Sequence, residues 1–145
     1  MSALEDLAQL LRLPSGRLAA AVPFSIERIE HPPMGLPTSD GQWFMAGDPA
    51  LVVLGVAANV VTLTVPLFVW QGHVPRLTAG ETIQRPIPAA GLEVKGLGEA
   101  VSRVVEQRLS SFATCAECGE TTPPEWMHDC VICQRCAAVN HGVVY

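Results

Sequence analysis

All five cysteines of the chain lie between Cys115 and Cys136. Cys115-Ala-Glu-Cys118 forms one Cys-x-x-Cys pair and Cys133-Gln-Arg-Cys136 a second. Two residues between cysteines let a tight turn aim both sulfurs at one point. Two such turns facing each other make a tetrahedral four-sulfur site, which zinc fills without redox chemistry. Gly119 follows the first pair, where the chain must turn sharply beside a metal. Pro123 and Pro124 mark the tip of the intervening loop, and Met127 to Ile132 reads as a strand returning to the metal. Cys130 competes with Cys136 as the partner of Cys133, and His128 and His141 are further ligand alternatives. With Cys115, Cys118, Cys133 and Cys136 as the set, protein saturates the ion. The zinc is then structural and keeps no open position for catalysis.

Three features together resemble the zinc-ribbon superfamily: Cys115-Ala-Glu-Cys118-Gly119, Cys133-Gln-Arg-Cys136 and the apolar close Gly142-Val-Val-Tyr145. The resemblance covers about the last fifth of the chain. It implies a metal-held hairpin closed by a C-terminal strand. It names no function, because that superfamily serves many.

The rest of the 145 residues can bury a core of its own: 49% are apolar and only 16% charged. The net charge of −5, with no long basic run, disfavours broad electrostatic binding of nucleic acid. The start, MSALEDLAQLL, carries Glu5 and Asp6 and no basic n-region, so it does not read as a secretory signal. A thiol-rich chain without such a signal is expected in the cytoplasm.

Ser2 and Glu5 fit a capping box, and Leu4, Leu7, Ala8 and Leu11 recur at helical spacing, predicting a helix from Ala3 to Arg12 or Leu13 that Pro14 stops. Ser15 is expected to cap a short second helix, Gly16 to Val22. Leu4–Val22 weakly resembles a helix-turn-helix, through Leu7-Ala8, Leu11, Leu13, Leu18 and Ala21. Its second helix offers only Ser15, Gly16 and Arg17 as readers before a run of alanines, and a helical hairpin capping the core explains it more simply.

Phe24 to Glu30 predicts a strand, His31 to Gly41 a loop with His31 at the surface, and Gln42 to Ala46 a short strand. Residues 49–75 contain no Asp, Glu, Lys or Arg, which raises a membrane span. Valine and threonine, interrupted by Gly55, Asn59 and Pro66, instead predict a buried hairpin: Leu51–Val56, a turn at Ala57-Ala58-Asn59, and Val60–Trp70. Val61, Leu63, Val65, Leu67 and Val69 are expected on one face, Thr62 and Thr64 on the other. Gln71 to Ala90 reads as loop with one edge strand at Glu81–Arg85. An anion site near His73, Arg76 and Arg85 is a weaker reading than an irregular crossover. Glu99 to Phe112 is the clearest helix, with Val101, Val104, Val105, Leu109 and Phe112 inward and Arg103, Glu106, Gln107 and Arg108 outward.

The expected architecture is α+β: a body over 1–112, with a helical N-terminus (1–22), a mostly antiparallel sheet region (24–94) and a long helix (97–112), leading into a zinc-ribbon appendage over 113–145. The expected function is a non-enzymatic binding or regulatory protein, acting through another protein or self-association. Alternatives are a nucleic-acid-binding or transcription-associated regulator, and a metal-dependent enzyme or small-ligand sensor. No catalytic constellation of usable spacing stands in the sequence.

Overall fold

A computed structural model describes residues 2–36 and 40–145. The fold is α+β. Helix α1 spans Ala3–Leu11, and the Ser2 hydroxyl caps it by accepting from the amide of Glu5 at 3.2 Å. It ends at Arg12, which takes a left-handed φ of 58°. Helix α2, Ser15–Ala21, starts one residue earlier than expected. Pro14 is its cap residue and Ser15 its first turn, so Ser15 caps nothing.

The described strands of the body form one antiparallel sheet in the order β1-β2-β3-β4-β5: Ile26–Ile29, Gln42–Ala46, Val52–Ala57, Val60–Gln71 and Val74–Pro86. The uncharged run is a hairpin. Its turn shortens to Ala58 and Asn59, both left-handed, the twist that two-residue hairpins prefer. No helix among the described residues is long and apolar enough to cross a membrane.

Two strand expectations change. The segment read as loop with one edge strand at Glu81–Arg85, Gln71–Ala90, holds a strand of 13 residues, β5, which contains that edge strand and extends it back to Val74. Pro75 and Pro86 sit near its two ends and Gly80 at a bulge opposite Thr64–Pro66, places where a sheet edge tolerates such residues. Arg76 and Arg85 are therefore about 30 Å apart along the strand, which removes the anion site. The alternation along β4 also breaks past Val65. Phe68 and Trp70 are half-buried, whereas Leu67 and Val69 are exposed, because the hairpin runs beyond the main core and twists at the bulge. The loop after β1 sends Met34 to the outer edge of β5, where Ala79 donates to its carbonyl at 2.8 Å. Positions 37–39 of that loop lie outside the described residues.

Helix α3, Val94–Ser110, begins five residues before Glu99 and ends before Phe112. Together α1, α2 and α3 cover one sheet face. Leu7, Leu11, Leu18, Leu97, Val101 and Val104 meet Phe44, Leu54 and Leu63 there. The opposite face buries Trp43, Val53, Thr62 and Thr64. Gly55 stands opposite Trp43 because any Cβ would lie 2.4 Å from the indole ring.

Candidate metal centre

After α3 the chain makes two short hairpins and one helix. Strands β6 (Ala113–Thr114) and β7 (Thr121–Thr122) flank the first cysteine pair. A 3-10 turn, Pro124–Trp126, leads to β8 (Met127–His128) and β9 (Ile132–Cys133), and helix α4 follows over Gln134–His141.

In the first knuckle the amide of Cys115 donates to the carbonyl of Glu120 at 2.9 Å, and the amide of Gly119 donates back to the carbonyl of Cys115 at 2.9 Å. Gly119 has φ +76°, the conformation its sequence position predicts. Cys133 closes β9 and caps α4, its sulfur accepting from the amide of Cys136 at 3.4 Å. Cys136 sits one turn into the helix. The Sγ atoms of Cys115, Cys118, Cys133 and Cys136 all lie within 4.8 Å of one another. Those of Cys118 and Cys133 are 3.9 Å apart. A tetrahedral site with zinc–sulfur bonds of 2.3 Å needs sulfur separations of about 3.8 Å, so the cluster can take an ion of that size.

The electrostatics point the same way. Cys115 is pulled down to about 6, first by the amide of Cys118 and also by those of Cys133 and Glu117, against the effect of burial. Cys136 is pushed up to about 12, first by its hydrogen bond to Cys133, then by burial and by the other sulfurs. Four packed thiols cannot all carry charge by themselves, and a divalent cation reverses that constraint. Arg135, whose guanidinium is held in its charged form first by the Cys118 sulfur and then by Glu120, supplies a positive charge beside the cluster.

The other expected candidates lie elsewhere. Cys130 is exposed at the β8–β9 turn, with Asp129 and Cys130 both at positive φ, so the strand expected over Met127–Ile132 is broken there. His128 meets the Tyr145 hydroxyl at 2.7 Å and Asp129 at 3.3 Å; His141 meets Glu117 at 2.8 Å. Among the described residues, neither histidine joins the sulfur cluster. The expected closing strand, Gly142–Tyr145, is not a strand. Gly142 instead ends α4 in a left-handed cap.

The largest departure is Arg108. Expected on the wet face of α3, it is 0% exposed, while Leu109, expected inside, is 47% exposed. Arg108 follows Val101 and Val104 at helical spacing, so its position is a core position whatever its chemistry. Its Nε donates to the carbonyl of Ala50 at 2.9 Å, and its two terminal nitrogens grip both carboxylate oxygens of the buried Glu125. The guanidinium also lies over the rings of Phe112 and Phe68, at 4.9 and 5.7 Å. Trp70 donates to the carbonyl of Glu125 at 2.8 Å and packs edge-on against Trp126. The cysteine-bearing segment is thus clamped to the body through Glu125. Spacing alone could have placed Arg108 inside; its partner, 17 residues on, left no local signal.

Compared with known protein families, characterised proteins and solved structures, the chain has no match in any of the three.

Proposed function

We propose that Cys115, Cys118, Cys133 and Cys136 hold one structural zinc ion, and that this is a non-enzymatic zinc-ribbon protein that binds and regulates another protein. The carrying observation is the four-sulfur cluster, whose spacing suits zinc and whose four thiols would fill its coordination. A filled site gives the ion a folding role instead of a catalytic one.

Protein is favoured over nucleic acid by the surface. Arg12 spends its guanidinium on Asn59 and the carbonyl of Pro88. Arg135 faces Glu120 at 3.7 Å, and α2 presents Arg17 as its one cation. In contrast, the projecting β4–β5 arm exposes Leu67, Val69 and Val74. The pairings Leu67↔Thr78, Val69↔Arg76 and Gln71↔Val74 put them on one face.

Native mass spectrometry tests the metal: one zinc per chain, kept in Cys130→Ser and lost in Cys136→Ser. Affinity capture tests the surface. A partner protein retained by the wild-type chain and lost with folded Val69→Asp supports the reading. A chain that instead shifts duplex DNA tightly, dependent on Arg17, overturns it.

A further inference from the structure

A cleft of about 250 Å³ opens between the β4–β5 edge and the first turns of α3. Its floor is apolar and buried: Val61, Leu63, Leu97 and Ala100. An apolar cavity of about 150 Å³ suffices for benzene, so this one has room for a branched or aromatic side chain. Two opposite charges stand at its rim, Arg85 and Glu93.

Arg85 pairs directly with Val61 across the strands, so it shares the apolar face that α3 covers. Among the described residues its guanidinium reaches only the carbonyl of its neighbour Gln84, at 3.2 Å. Glu93 precedes α3 without capping it by a side-chain bond, and among the described residues it forms no ion pair. The cleft exists because α3 presents small residues there. At Gly96 an added Cβ would meet nothing within 4 Å, and helix propensity alone would choose alanine.

We propose that this cleft binds a free apolar α-amino acid. Arg85 takes the carboxylate, Glu93 takes the ammonium group, and the side chain enters the apolar floor. Charge complementarity selects this occupant. A fatty acid would leave Glu93 facing its carboxylate, and an apolar amine would leave Arg85 unanswered.

Isothermal titration with L-leucine and L-phenylalanine tests the assignment on the full-length, metal-loaded chain. Saturable binding of at least one is expected, about tenfold or more tighter than leucinamide or 4-methylpentanoate, each of which lacks one charge. Gly96→Leu should fill the cleft and abolish binding while the melting temperature holds or rises. Arg85→Met and Glu93→Gln, which keep the apolar stems, should each weaken binding about tenfold. The proposal is overturned if neither amino acid binds saturably, if leucinamide binds as well as leucine, or if folded Gly96→Leu binds normally. Zinc content is unaffected by any of these outcomes, so the cleft and the metal centre are judged separately.

Discussion

The body and the cysteine segment solve the same problem with opposite means. The body closes a continuous core in which Phe44, Leu54 and Leu63 meet residues of three helices. In the segment from Cys115 onward the buried cluster is Cys115, Cys133 and Cys136, with Met127 and Ile132 against them, and few other side chains, such as Ala137 and Glu125, are buried. Its strands are two residues each. A region this poor in apolar contacts needs a staple, and four converging sulfurs are the staple in sight. Trp70 joins the two regions through the Glu125 carbonyl and the Trp126 ring, but the strongest polar link is of another kind. It is the buried Arg108–Glu125 pair.

That contrast predicts unequal responses to metal removal. Structural zinc contributes about 10–16 kcal/mol to the folding of small metal-held units. A strong chelator should therefore unfold Cys115–His141, while the sheet of the body persists. Hydrogen exchange read segment by segment checks this. Protection should vanish after Cys115 and survive in Val52–Ala57 and Val60–Val65. Simultaneous loss everywhere would show that the body cannot stand without its appendage.

The link itself should be the next most sensitive point. Glu125→Gln leaves Arg108 charged, buried and without its carboxylate, a change that costs about 3–5 kcal/mol in comparable pairs. Replacing both partners, Arg108→Met with Glu125→Leu, removes the charge and the need for it together, and should recover most of that loss. Chemical denaturation of the two variants reads the difference. Equal destabilisation would mean that the contacts of Arg108 within the body, to Ala50, Phe68 and Phe112, which only the double variant loses, are worth as much as the ion pair.

A substitution confined to the body sharpens the comparison from the other side. Gly55→Ala drives a methyl into the Trp43 ring and should cost about 1–3 kcal/mol. Metal content should stay unchanged, since the atoms the new methyl meets belong to Trp43 of the body.

The sequence made these regions unequally legible. The β3–β4 hairpin follows from the charge-free run rich in valine and threonine, and its turn from Asn59, because those signals act over a few residues. The sulfur cluster was legible for the same reason, each knuckle being a local turn. Only the second half of β5, Glu81–Arg85, was legible; its first half was hidden by Pro75 and Gly80, which usually interrupt strands but here fall at its end and bulge. Arg108 was misplaced because its polarity outweighed its helical position, and only a distant carboxylate makes that position tolerable. Helix α4 was missed because Cys133, a metal-type residue, also serves as its cap.

The smallest predicted effect concerns Cys130. The amide of Val131 donates to the carbonyl of His128 at 3.2 Å, enclosing Asp129 and Cys130 at φ 51° and 59°. Within the three-residue loop between the paired His128 and Ile132, these two residues take the left-handed backbone for which Asp-Gly is the favoured pair. A side chain in the left-handed region costs about 1–2 kcal/mol, and Cys130→Gly removes that strain. Glycine also frees the unfolded chain, which returns about 0.5–1 kcal/mol. The net gain should be about 0.5 kcal/mol, a small rise in melting temperature with zinc content unchanged. A thiol that bound the ion would behave in the opposite sense. Cys130→Gly would then strip the metal and lower the melting temperature, and the sulfur set read from the two Cys-x-x-Cys pairs would have to be redrawn around Cys130 and Cys133.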